Sequence, residues 1–243
     1  MKNLDKNNLI YKFLIKEQIE EDRAYKAEKK LLTYMGKILL YNKNVNITGI
    51  VEPEEFIKKH IIDSLLIISE EEFSESNLIL DLGTGGGFPG IPLALLYPEK
   101  TFLLLDSIKK KLNIIDEICG YIDIKNVHTV HSRAEDLGQD ADYREKFDLV
   151  VSRAVAELSV LSELALPFVK LGGDFAAYKG PGIRKEVERG EIAIETLGGR
   201  ISKIVESNCY EQNHQILFVS KVKKTPGRFP RKAGIPIKKP LVE

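Results

Sequence analysis

The sequence predicts an α/β fold: a mostly parallel sheet covered by helices on both faces, preceded by a helical extension. Three observations predict it. From residue 78 onward, short apolar runs alternate with helical stripes, the pattern that builds a parallel sheet. The first run ends in a glycine-dense turn, Asp-Leu-Gly-Thr-Gly-Gly-Gly-Phe-Pro-Gly at 81–90. The last two runs, 201–206 and 215–222, have no helical stripe between them and therefore pair as antiparallel neighbours.

Each element follows from its residues. Residues 1–75 read as a helical N-terminal extension packed on the core. Leu9, Ile10, Phe13 and Leu14 sit at helical spacing, as do Leu31, Leu32, Met35, Ile38 and Leu39. A polar break at 42–48 follows. Glu52-Pro53-Glu54-Glu55 then reads as a helix start, with Phe56, Ile57, Ile61, Leu65 and Ile68 along one face. The sheet domain spans 76–222. Its expected strands are 78–80, 101–105, 127–131, 147–152, 174–178, 201–206 and 215–222, a seven-stranded sheet with an antiparallel end. Ser107 is placed to cap the helix carrying Ile108, Leu112, Ile115 and Cys119. Gly172-Gly173 leads into the fifth strand, and one more helix fits 183–197. Residues 223–243 form a basic C-terminal tail.

Composition excludes several classes. At 43% apolar, the 243 residues have ample material for a core. The formal net charge is zero, so bulk charge attracts neither nucleic acid nor membrane. Cys119 and Cys209, with four histidines, show no metal-ligand spacing, so no metal is expected. A reduced, cytoplasmic setting and a monomer are the simple expectations. No apolar run is long enough to span a membrane, and the charged N-terminus lacks a signal-peptide block.

The functional candidates converge just after strands: the glycine loop, Asp106, Ala134-Glu135, Arg153 and Lys179. Ligands of open parallel sheets bind beyond those strand ends. In the loop, Gly83, Gly85 and Gly87 let backbone approach a ligand closely. Asp81 stands two residues before the first glycine, where a ligand with an ammonium group and a sulfonium cation favours an acid. Asp106, 25 residues after Asp81, suits a carboxylate accepting ribose hydroxyls, with Ser107 beside it. Nicotinamide and S-adenosylmethionine share that feature; the antiparallel end of the sheet tilts the choice to S-adenosylmethionine.

Further blocks occur in a fixed order. Asn46-Ile47-Thr48 and Lys59-His60-Ile61-Ile62-Asp63-Ser64 precede the loop. Leu105-Asp106-Ser107, Ser132-Arg133-Ala134-Glu135, Ser152-Arg153-Ala154, Lys179-Gly180 and Phe229-Pro230-Arg231-Lys232-Ala233-Gly234-Ile235-Pro236 follow it. With the loop, these blocks make the chain from about residue 31 onward resemble the bacterial small-subunit ribosomal RNA guanine-N7 methyltransferase family (RsmG/GidB). Lys59, Tyr178 and Ala233 depart from its usual arginine, leucine and proline. The resemblance implies a Rossmann-like class I S-adenosylmethionine-dependent methyltransferase fold. It also implies cofactor contacts at Gly83, Phe88, Ala134, Glu135 and Arg153, and 16S ribosomal RNA or the small ribosomal subunit as partner.

Each residue has a plainer alternative. Asp106 reads also as a helix cap, Phe88 as core, Glu135 as a helix-start acid, and Arg153 as half of an ion pair. His60 and Asp63, three apart on one helix face, read first as a structural hydrogen bond. Candidate RNA contacts are Arg153, Lys179, Lys223, Lys224, Arg228, Arg231 and Lys232. The tail is basic and, with Pro226, Pro230, Pro236 and Pro240, extended. No residue stands out as a catalytic base, and guanine N7, with its free lone pair, needs none. A cofactor-binding assembly factor without turnover, a methyltransferase of another substrate, and a nicotinamide oxidoreductase stay open. The modified nucleotide is not legible in the sequence.

Overall fold

The computed structural model describes residues 9–209 and 212–241. Helices α1 (Leu9–Lys16) and α2 (Glu21–Asn42) bury the apolar stripe of the extension, including Ile10, Phe13, Leu31, Tyr34 and Ile38. The Glu52 carboxylate caps α3 (Pro53–Phe56), accepting from the Glu55 amide at 2.8 Å. The helix then widens into a π-helical turn, Ile57–Ile62, and closes as α4 (Asp63–Leu65). The short α5 (Glu71–Ser74) leads into the sheet.

The sheet domain alternates as its pattern requires. Strand β1 (Leu78–Leu82) is followed by α6 (Gly90–Leu96), β2 (Thr101–Asp106) by α7 (Lys109–Tyr121), and β3 (Val127–His131) by α8 (Ala134–Leu137). Then come β4 (Phe147–Arg153), α9 (Leu158–Ala165), β5 (Val169–Lys179), α10 (Ile183–Thr196), β6 (Gly199–Cys209) and β7 (Gln212–Lys221). Among the described residues, seven strands lie in the order β3-β2-β1-β4-β5-β7-β6. Strands β1 to β5 pair in parallel, and β7 is antiparallel to both β5 and β6.

Alternation along β1 divides the core into two layers. Ile79 faces the N-terminal helices with α6 and α7; Leu80 and Leu82 face α9 and α10. The extension is thus half of one core, and each fully buried side chain such as Phe56 stabilises it by about 2 kcal/mol.

Two details differ from the sequence expectation. Strand β5 begins at Val169, because pairing with β4 starts at Phe147–Val169 and resumes at Leu149–Asp174. Gly172, at φ 81°, sits in the irregularity between them, so the glycine pair interrupts a strand and does not precede one. Second, the segment after β7 folds back on the domain and ends in a single helical turn, α11 (Ile235–Lys238), packed on α9. Among the described residues, no helix is long and apolar enough to cross a membrane, and no cluster of His, Cys, Asp or Glu has the makings of a metal site.

Candidate functional site

Strand order reverses between β1 and β4, and the crevice at their carboxyl ends receives the glycine loop. Gly83, Gly85 and Gly87 all have positive φ (71°, 58° and 84°). The amides of Gly83 and Thr84 donate to Leu105 O on β2 at 2.8 and 3.1 Å. Space is as strict as backbone angle. A Cβ on Gly83 would lie 2.6 Å from Val155 Cγ2, and one on Gly87 would lie 2.3 Å from the Tyr34 hydroxyl.

Asp81 and Asp106 divide the labour of holding this loop. Asp81 is fully buried; its Oδ2 accepts from Thr84 Oγ1 at 2.6 Å and from the Gly90 amide at 2.8 Å. Burial outweighs these donors and pushes its carboxyl up to about 6. Asp106 Oδ2 accepts from the Gly85 amide and its Oδ1 from the Ile108 amide, both at 2.8 Å. Each Asp106 oxygen keeps a further lone pair. Ser107 does not cap α7, whose N-cap is Ile108; the Ser107 carbonyl instead meets His131 Nε2 at 3.1 Å.

A cavity opens between the ends of β1, β2 and β3. Leu82, Gly83, Leu105, Asp106, Ser107, Ser132, Arg133, Ala134, Glu135, Val155, Leu164 and Ile237 line it. It joins a carboxylate, a glycine at its edge and an apolar wall, the chemistry suited to a nucleoside-bearing ligand.

A second constellation lies behind the loop. Phe88 stacks on His60, with centroids 4.6 Å apart and planes at 11°, and meets Tyr34 and Phe56 edge-on. The Arg153 guanidinium stands 5.4 Å from the same ring. Arg153 donates to Asp63 Oδ2 at 2.7 Å, to Lys59 O at 2.8 Å and to His60 Nδ1 at 3.0 Å. His60 Nε2 meets Thr48 Oγ1 at 2.7 Å, and His214 Nδ1 meets Asp63 Oδ1 at 2.7 Å. Burial, reinforced by Arg153, pulls His60 down to about 4. Burial opposes ionisation of Asp63, but the His214 and Arg153 contacts outweigh it and hold its carboxyl below the usual range.

The family model for rRNA small subunit methyltransferase G (GidB) matches residues 27–216. The chain belongs to this family. Members include the ribosomal RNA small subunit methyltransferase G of Clostridium tetani, 45% identical over 91% of this chain and 92% of its own. That of Clostridium novyi is 45% identical over 93% and 94%. The fold recurs more widely. An O-methyltransferase from Bacillus cereus, solved with SAH, has a TM-score of 0.54 at 19% identity, covering 77% of this chain and 90% of its own. TomG from Streptomyces achromogenes, solved with SAM, has 0.52 at 14%, covering 78% and 90%.

Within this family fold, the structure sorts the sequence-derived candidates. Gly83, Asp106, Ser107, Ala134 and Glu135 line this cavity together, while Gly85 and Gly87 shape its loop. Phe88 and Arg153 do not line it: Phe88 is buried among aromatic rings of the extension, and Arg153 is spent on Asp63, His60 and Lys59 O. The plainer readings of core and ion pair describe their contacts. His60 and Asp63 are joined through Arg153 and not by a bond to each other.

The candidates for RNA also divide. Lys179 is half-buried and donates to Glu186 Oε2 (2.6 Å) and Ala156 O (2.7 Å), and Arg231 forms an ion pair with Glu163 Oε2 at 2.5 Å. A carboxylate thus already partners each charge. Lys223, Lys224, Arg228 and Lys232 are exposed. Sequence reasoning missed Tyr34, whose hydroxyl donates to Gly86 O at 2.7 Å. It also missed His214 and placed Thr48 only within an ordered block, without its contact to His60; both complete the Arg153 cluster. A lone tyrosine in a helical stripe gives no signal of such a partner.

Proposed function

We propose that this chain transfers the methyl group of S-adenosylmethionine to N7 of a guanine in 16S ribosomal RNA, in the cytoplasm. The observation that carries the reading is the joining of Gly83 and Asp106 in one cavity at the reversal of strand order, in a chain of this family. Asp106 would accept the ribose hydroxyls with its remaining lone pairs. The Ala134 backbone and Glu135 would meet the adenine edge, and the backbone at Gly83, on the cavity lining, would take the methionine part. When bound, the cofactor supplies an electrophilic methyl on sulfur. Guanine N7 would attack with its free lone pair, so no residue of the protein need take up a proton. The protein's work is therefore alignment, together with tolerance of positive charge moving onto the purine.

Guanine N7 lies in the deep, narrow major groove of an RNA helix, so the target nucleotide is unpaired or exposed. Lys223, Lys224, Arg228 and Lys232 would hold phosphate nearby. The test is incubation of purified protein and S-adenosylmethionine with small-subunit RNA lacking the modification, followed by mass mapping of nuclease digests. One fragment should gain a methyl as 7-methylguanosine. Recovery of unmodified guanosine throughout, from protein shown to bind the cofactor, would overturn the proposal.

A further inference from the structure

The basic segment after β7 is strapped to the domain. Arg144 donates to Phe229 O at 2.7 Å and to Thr225 O at 2.8 Å. Glu163, fully buried on α9, accepts from Arg231 Nε at 2.9 Å and Nη2 at 2.5 Å, and from the Arg231 amide at 2.8 Å. Further along, Glu135 Oε1 accepts from the Gly234 amide at 3.0 Å. The strap thus reaches a carboxylate that itself lines the cavity.

That attachment decides where the next turn lies. Gly234 takes a left-handed conformation, Pro236 is buried, and Ile237 falls on the cavity lining. The residue is nonetheless 64% exposed. A large apolar side chain so exposed beside a cavity is one that a ligand with an apolar face would bury. Ile235, 37% exposed on the same turn, does not line the cavity.

We infer that Ile237 is a cofactor-binding residue: it closes the cavity and covers the purine of S-adenosylmethionine. The strap that carries the exposed lysines thereby also retains the cofactor. The inference rests on assigning this cavity to the cofactor.

Calorimetric titration of S-adenosylmethionine into the full chain tests it, with the unsubstituted protein compared with Ile237→Ala, Ile237→Leu and Ile235→Ala. Ile237→Ala should raise Kd about fivefold to tenfold, the loss expected for uncovering part of one aliphatic side chain. Ile237→Leu should stay within about threefold, and Ile235→Ala should not change Kd. Thermal midpoints without ligand should agree among all four proteins, which separates lost contact from lost folding. Equal Kd values for Ile237→Ala and the unsubstituted protein would overturn the role of Ile237 while leaving the cavity assignment standing. No binding by the unsubstituted protein would overturn both.

Discussion

Arg153 donates to His60 Nδ1 across 3.0 Å, and this fixes the imidazole as a neutral ring. A guanidinium has only donors, so Nδ1 must be the acceptor and the ring proton sits on Nε2, facing Thr48 Oγ1. Protonation of His60 would set two cations against each other beside Phe88.

The sign of the acid response follows. His60 falls from its ordinary 6.5 to about 4 in the folded chain, so between those values the unfolded chain takes up the proton first. Stability from this group is complete above pH 6.5 and is lost as pH falls through 4. Asp81 works in the opposite sense. Its carboxyl rises from 3.8 to about 6, so its ionisation costs stability as pH rises through that window. Urea unfolding of His60→Gln should show a deficit at pH 7 that narrows by up to ~3 kcal/mol toward pH 4, taking about 1.4 kcal/mol per unit. Asp81→Asn should be more stable than the unsubstituted protein at pH 8, with the advantage gone near pH 4. Parallel pH profiles for all three proteins would refute the assignment.

Tyr34 links the extension to the loop through one hydroxyl. Tyr34→Phe leaves Gly86 O without that donor in a buried setting and should cost about 1–2 kcal/mol. Gly87→Ala should cost more, because the added methyl meets the Tyr34 hydroxyl and the residue is at φ 84°. Denaturant midpoints rank the two. In the combined variant Tyr34→Phe/Gly87→Ala, the cost should be less than the sum, since the phenyl ring removes the closest obstructing atom.

The sheet was legible because period-two and helical apolar patterns are local, and β3 lies at residues 127–131 as its sequence pattern requires. The loop was legible because positive φ restricts residue choice, and its glycines carry that restriction in the sequence. Partnerships across the chain were not. Arg153 at a strand end has the same sequence signature whether it faces a ligand or Asp63, ninety residues away. The tail's prolines suggested an extended arm, but burial of Phe229 and the charge pair between Arg231 and Glu163 fold it back. Only tertiary proximity reveals such pairs, since neither partner's neighbours in sequence differ from those of a solvated residue.

The strap depends on an asymmetric ion pair. Glu163 is wholly buried, whereas the Arg231 side chain is 24% exposed. Arg231→Ala strands a buried carboxylate and should cost about 3–5 kcal/mol. Glu163→Gln keeps an acceptor for the Arg231 amide and leaves the guanidinium a route to water, so it should cost less. Urea unfolding of both variants checks the order; a larger loss in Glu163→Gln contradicts it.

Asp106 joins loop stability to ligand binding, and the two can be separated. Asp106→Ala removes the acceptors of the Gly85 and Ile108 amides and should lower stability by about 1–2 kcal/mol. Loss of the charge-assisted bonds to ribose hydroxyls should also weaken S-adenosylmethionine binding about tenfold to a hundredfold. Asp106→Asn offers one oxygen in place of two, so an amide and a ligand hydroxyl must compete for it. It also leaves one of the two amides facing an NH2 donor, so it should regain only part of the stability lost in the alanine variant while binding almost as weakly. Calorimetry and thermal melts on the same samples supply both numbers. An unchanged Kd in Asp106→Asn would leave Asp106 as a brace for the loop and move the ribose contact elsewhere in the cavity.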